Sequence, residues 1–150
     1  MPLIREQLAK GQTVRFGPHG ISMLPMLRQG RDKVVLSPVN GRLKKYDLPL
    51  YQRDDGHYVL HRVVAVGDTY TCIGDNQYEL EHGIRDDQII AVVTAFVRDE
   101  KEISVKNIFY QIYCRVWHYL RPVKRLCGYI RRFLRRVKRF FSRVIRKFTA

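Results

Sequence analysis

HYVLHRVVAV, residues 57–66, is the stretch on which the fold turns. Seven of its ten residues are apolar or tyrosine, most of them valines with a preference for extended backbone, and the run is bounded by turn signals on both sides. Asp54-Asp55-Gly56 precedes it and Gly67-Asp68 follows it, so it reads as the best strand in the chain, entered and left by tight turns. By two-residue alternation His61 shares a face with Val59, Val63 and Ala65. An imidazole on a mostly apolar face is either a core group whose hydrogen bonds are satisfied or a group kept for chemistry.

Outward from that strand the same pattern recurs. Thr13–Phe16, Lys33–Leu36, Thr69–Ile73 and Ile89–Val97 are β-rich runs separated by turn signals, among them Asn40-Gly41. Asp47–Gln52 reads as extended, with Pro49 restricting it to an edge or irregular strand. A short helix is expected over residues 3–10. Many short strands at regular spacing predict a mostly-β domain over residues 1–100.

The last third has a different character. Residues 1–100 carry 13 Lys and Arg against 13 Asp and Glu, whereas residues 101–150 carry 15 Lys and Arg against the single acid Glu102. The whole net charge of +14 thus sits in residues 101–150. Apolar residues there recur at three- and four-residue steps, before and after Pro122, with Lys and Arg between them. The pattern predicts an amphipathic helical tail over 101–150, broken or kinked at Pro122. Residues 122–148 as one helix would be about 40 Å long. Its apolar face and cations suit an anionic membrane surface, with Trp117, Arg131, Arg132, Phe133, Arg135, Arg136, Phe140 and Phe141 as the membrane-binding set. Tyr113, Tyr119 and Tyr129 also suit headgroup level. A helix packed on the body is one competitor. Nucleic acid is another, disfavoured by the wide apolar face.

No window reaches the length of an apolar membrane span, and the first residues, MPLIREQLAKGQ, lack the apolar core of a signal peptide. Cys72, Cys114 and Cys127 are an odd set without paired spacing, which favours a reduced compartment. The expected location is peripheral on a membrane, facing the cytoplasm. His57, His61 and Asp54 do not complete a metal-ligand set, so neither metal nor cofactor is expected.

The segment GISMLPML, residues 20–27, raises the chemical question. A serine hydroxyl is a weak nucleophile until a base lies within hydrogen-bond reach. His61 is the best base for Ser22, with His19 a distant second; Lys44 and Lys45 read as a solvated face. Asp75, in Cys72-Ile73-Gly74-Asp75-Asn76, follows a hairpin that would bring it beside His61, where a carboxylate can orient an imidazole. It can equally serve its own turn.

Ser-Met-x-Pro in SMLP, then a histidine inside an apolar strand in LHRVV, then G-D-N, resembles the ordered motif set of type I signal peptidases and the LexA-like self-cleaving peptidases of the same superfamily. The resemblance spans roughly residues 12–98. It implies a coiled, partly closed β-sheet peptidase fold and a serine endopeptidase that cuts extended segments of a polypeptide substrate, with small residues near the cut. Ser22 matches the nucleophile. His61 falls where the bacterial leader-peptidase branch has lysine, as in the branch that pairs serine with histidine. Asp75 matches the acid of the last box, and Glu79 and Glu81 offer a second acid just after it; Asp75 is taken first and Glu81 second. The leader-peptidase pattern has a hydroxyl residue where this chain has Gly20, so the nucleophile loop of Gly20, Ile21 and Met23 is more similar to the LexA-like branch, with backbone donors for the oxyanion. The membrane anchor and DNA-binding module of those relatives are not seen ahead of Ser22. The alternatives are a silent or self-cleaving binding module of the same fold, and a cationic membrane- or nucleic-acid-binding protein.

Overall fold

The structure is a computed structural model and describes residues 2–123, 126, 129–130, 133–137 and 139. The chain divides into two compact units, Met1–Val116 and Trp117–Ala150. The first is mostly β. It contains α1 (Pro2–Ala9), β1 (Val14–Phe16), β2 (Lys33–Ser37), β3 (Pro49–Gln52), β4 (Tyr58–Leu60), β5 (Arg62–Val66), β6 (Tyr70–Ile73), β7 (Glu81–Ile84), a single 3-10 turn at Asp86–Gln88, β8 (Ile89–Arg98) and β9 (Lys101–Ser104). Helix α2 (Ile108–Tyr119) follows and begins in this unit.

Every pairing is antiparallel, in two sheets that do not close into a barrel. The larger runs β1-β2-β8-β3-β4, with β9 also on β8; the smaller runs β5-β6-β7. Strand β8 is the spine. Its first half pairs with β3, its second with β9, and β2 runs along its other edge. Pro49 does not make β3 an edge strand, since β3 lies between β8 and β4. Proline is tolerated because it is the first residue of the strand, where the missing N–H breaks no interior rung.

The expected strand at 57–66 is in fact two strands. The chain leaves the larger sheet after Leu60 and enters the smaller one at Arg62, with His61 at the crossing. Leu60 packs into one core cluster with Leu36, Leu50 and Phe96, while Val59 and Val63 pack into a second with Tyr51, Tyr70 and Cys72. Residues 59–64 are all buried, so no wet face survives at the crossing and alternation loses its meaning there. The turn before it is as expected. Gly56 takes φ +85°, Arg53 and His57 close the hairpin through a 2.9 Å backbone bond, and Asp55 accepts from the His57 N–H at 2.9 Å.

The boundary expected at residue 100 falls later. Residues 101–104 extend the larger sheet as β9, and Tyr110 and Cys114 of α2 are part of the first core cluster. The inward face of α2 is Tyr110, Tyr113 and Cys114, whereas the apolar residues Phe109, Ile112 and Val116 face out. The described residues beyond Pro122 are helical. Among the described residues no helix is long and apolar enough to cross a membrane.

Candidate active site

The loop carrying Ser22 is pinned from both ends. Gly20 takes φ +93°, a left-handed conformation natural to glycine, and donates its N–H to Gln29 Oε1 at 2.7 Å. Met23 and Leu27 are buried in the first core cluster, and the Leu27 N–H donates to the Met23 carbonyl. Asp32 closes the loop. Its buried carboxylate accepts from the Arg28 N–H and from the side chains of Arg31 and Arg98. Burial pushes this carboxyl up, but the guanidinium hydrogen bonds outweigh it and hold it well below the ordinary range.

The G-D-N tripeptide brings the loop to the His61 strand, and each residue has its own task. Gly74 permits close approach: a Cβ there would lie 2.7 Å from the Ser22 carbonyl oxygen and 3.0 Å from His61 Nε2. Asn76 clasps the Ser22 loop, donating its N–H to the Ser22 carbonyl at 2.7 Å and its side-chain amide to the Ile21 carbonyl at 3.2 Å. Asp75 turns away from the imidazole into a bidentate pair with Arg62, at 2.9 and 2.8 Å, both side chains 2% exposed. Arg62 also donates to the Tyr110 hydroxyl and Cys114 Sγ, and the Tyr113 hydroxyl donates to Asp75.

Glu81, not Asp75, meets His61. Its Oε1 lies 2.8 Å from His61 Nδ1. Tyr51 donates its hydroxyl to Glu81 Oε2 at 2.9 Å, and Arg53 donates from Nε at 2.9 Å and Nη2 at 2.5 Å. Burial raises the Glu81 carboxyl, yet these donors and the neighbouring histidine bring it below its usual value, so it is a carboxylate at neutral pH. Burial lowers the His61 pKa, and the Glu81 charge only partly offsets this, so the imidazole is neutral at the same pH. A carboxylate at Nδ1 selects the tautomer with its proton there and leaves the Nε2 lone pair on the side of Gly74 and Ser22. Of the two acids, the one beside His61 is therefore the second choice from the sequence; the first is occupied with a buried arginine.

Ser22 and His61 line one cleft of about 160 Å³, with His19, Gln29, Arg53, Tyr58 and Gln77 among its walls. Strand β4, the outer strand of the larger sheet, borders it with Tyr58, Val59 and Leu60. Arg53 and Gln77 also border a second hollow of about 260 Å³, walled by Tyr78, Glu79, Leu80 and Glu81. Among the described residues no hydrogen bond joins the Ser22 hydroxyl to His61, and the N–H groups of Ser22 and Met23 donate to no protein acceptor. Ile21, next to Ser22 in the loop, is 68% exposed.

The other expected residues are placed as follows. His19 is exposed on the cleft wall. His57 pairs with Asp55 on the exposed hairpin, and among the described residues no group of three metal-ligating side chains forms. Lys44 and Lys45 are exposed. Of the membrane-binding set, Trp117 is half-buried and Phe133, Arg135 and Arg136 are exposed, while Arg131, Arg132, Phe140 and Phe141 lie outside the described residues. Tyr113 is not at a headgroup level but hydrogen-bonded to Asp75.

Three residues around the site are not singled out in the sequence, Tyr51, Arg53 and Arg62, and a fourth, Tyr113, is given a different task there. Arg62 had a signal. A cation inside HYVLHRVVAV is as much in need of a partner as the histidine beside it. Tyr51 and Arg53 had none, because their shared partner Glu81 arrives from a strand that no periodicity marks.

Compared with protein-family models, curated proteins and solved structures, the chain matches none.

Proposed function

We propose that the protein is a serine endopeptidase that cuts extended polypeptide segments, with Ser22 as nucleophile, His61 as general base and Glu81 as the acid that orients it. The observation that carries this reading is the cleft shared by Ser22 and a buried neutral imidazole whose Nδ1 is held by a carboxylate. His61 Nε2 removes the Ser22 proton as the oxygen attacks the scissile carbonyl, and the imidazolium returns it to the leaving amine. The Ser22 and Met23 N–H groups receive the oxyanion, a contribution worth about 3–4 kcal/mol per donor. Water activated by His61 then releases the acyl group. Catalytic hydrogen bonds commonly tighten only when substrate is bound, which accommodates the open Ser22–His61 pair. The free edge of β4 suits a substrate added as a further strand.

The motif order SMLP, LHRVV, GDN supports a fold of the signal peptidase and LexA-like type, now with Asp75 as a structural member and Glu81 as the orienting acid. The exposed apolar and cationic residues of the second unit support attachment to an anionic membrane surface, and the free thiols of Cys72 and Cys114 suit a body on the reducing, cytoplasmic side. Incubating the full chain and its Ser22→Ala variant with an extended-peptide library, and reading products by mass spectrometry, tests the activity. Cleavage by the native chain alone is expected. Equal cleavage by both defeats the assignment, and cleavage confined to the protein's own chain would favour a self-cleaving module.

A further inference from the structure

Helix α2 joins two features that the proposed reaction does not use. Its inner face enters the buried ion pair beside the site. Tyr110 and Cys114 accept hydrogen bonds from Arg62 at 2.7 and 2.9 Å, and Tyr113 donates to Asp75 at 3.0 Å. Arg62 directly follows His61, and Asp75 directly follows Gly74, where an added Cβ would lie 3.0 Å from His61 Nε2. Its outer face is apolar and open, with Phe109 at 78%, Ile112 at 50% and Val116 at 47% exposure. Lys106 and Arg115 are exposed beside it, and the segment from 101 onward carries 15 cations against one acid. Apolar side chains flanked by such an excess of cations complement an anionic lipid surface, whereas nucleic acid would satisfy only the charge.

A helix of twelve residues has little stability of its own and takes it from what covers its faces. We propose that α2 is a two-faced strut: its outer face seats on anionic lipid while its inner face holds the His61–Arg62 and Gly74–Asp75 junction, so lipid engagement firms the arrangement of the site. This rests on the Ser22–His61 reading for its catalytic consequence, but not for the coupling itself. Tyr113 is then a positioning residue, acting through Asp75.

The test uses the full chain with phosphatidylcholine vesicles, with and without phosphatidylserine. One readout is backbone hydrogen exchange at residues 60–63 and 73–76; the other is the rate at which a fluorophosphonate labels Ser22. Phosphatidylserine vesicles are expected to slow exchange in both segments and to speed labelling about five-fold or more, the lower end of ordinary coupling between sites. Phe109→Ser/Ile112→Ser/Val116→Ser should keep the lipid-free rate and lose both responses. Tyr113→Phe should still bind the vesicles and lose both responses, which a merely structural hydroxyl would not produce. Unchanged exchange on vesicle binding, a normal response in either variant, or equal protection by duplex DNA overturns the proposal. Absence of Ser22 labelling under every condition would instead defeat the peptidase reading, and the exchange data would still decide the strut.

Discussion

Replacing Gly74 by Ala probes how tightly the site is assembled. The added methyl would stand 2.7 Å from the Ser22 carbonyl oxygen, 3.0 Å from the Gln77 side-chain oxygen and 3.0 Å from His61 Nε2. Gln77 can swing aside. The Ser22 carbonyl cannot move freely, because it is backbone and accepts the Asn76 N–H at 2.7 Å. Ordinary contact needs about 3.5 Å, so the nucleophile loop and the G-D-N turn must part by roughly 0.8 Å. Forced overpacking of this kind costs about 1–3 kcal/mol of stability. A misplacement near 1 Å costs on the order of a hundred-fold in rate. Urea unfolding gives the first number and fluorophosphonate labelling of Ser22 the second. Gly67→Ala is the control, since the nearest atom to its added methyl is 3.8 Å away. A Gly74→Ala protein as stable as the control, labelled at the native rate, would refute the close approach of Ser22 and His61.

Three further outcomes follow from the geometry. Glu81→Gln should lower the labelling rate by about 10²–10⁴-fold through loss of the tautomer and of imidazolium stabilisation, while Asp75→Asn should act first on stability. Because the Arg62–Asp75 pair is buried, removing one charge should cost about 3–5 kcal/mol by urea unfolding, and an Asp75→Asn protein of native stability would contradict its structural role. The pH–rate profile carries a third prediction. Burial depresses the His61 pKa, and the reaction needs the neutral base, so the acid limb of kcat/KM should lie below the ordinary imidazole value of about 6.5. The same depression gives a stability contribution that is present above about pH 6.5 and is lost as the pH falls through the folded-state value, because the unfolded chain takes up its proton first.

Much of the fold is legible along the chain because local rules operate where a strand has one wet face or a turn demands glycine. The hairpin at Asp54–Gly56 and the first part of strand β8, where burial alternates, are of this kind, and β2 and β6 are legible as short apolar runs bounded by turns. Strand β7, EHGI, escapes because it is short and half exposed with no alternation, and β9, KEIS, because charge dominates it. The break at His61 escapes for a different reason. Val59 to Val64 are apolar or buried on both faces, and a continuous run cannot say where a chain passes from one sheet to another. Helix α2 has the expected period, but part of it belongs to the body: Tyr110, Tyr113 and Cys114 face the core, where they are hydrogen-bond partners of Arg62 and Asp75, and the apolar stripe is left outside. The candidate site divides the same way. Ser22 and His61 are proposed from residue type and order, whereas which of Asp75 and Glu81 lies beside the imidazole is set by a charge, Arg62, that claims the first of them.

The most direct measurement is intact-mass and peptide-level identification of the residue modified by a fluorophosphonate in the native protein and in His61→Ala. The account predicts one adduct, on Ser22, forming about a hundred-fold or more slowly without the imidazole. An adduct on another residue, or an equal rate in the two proteins, contradicts it.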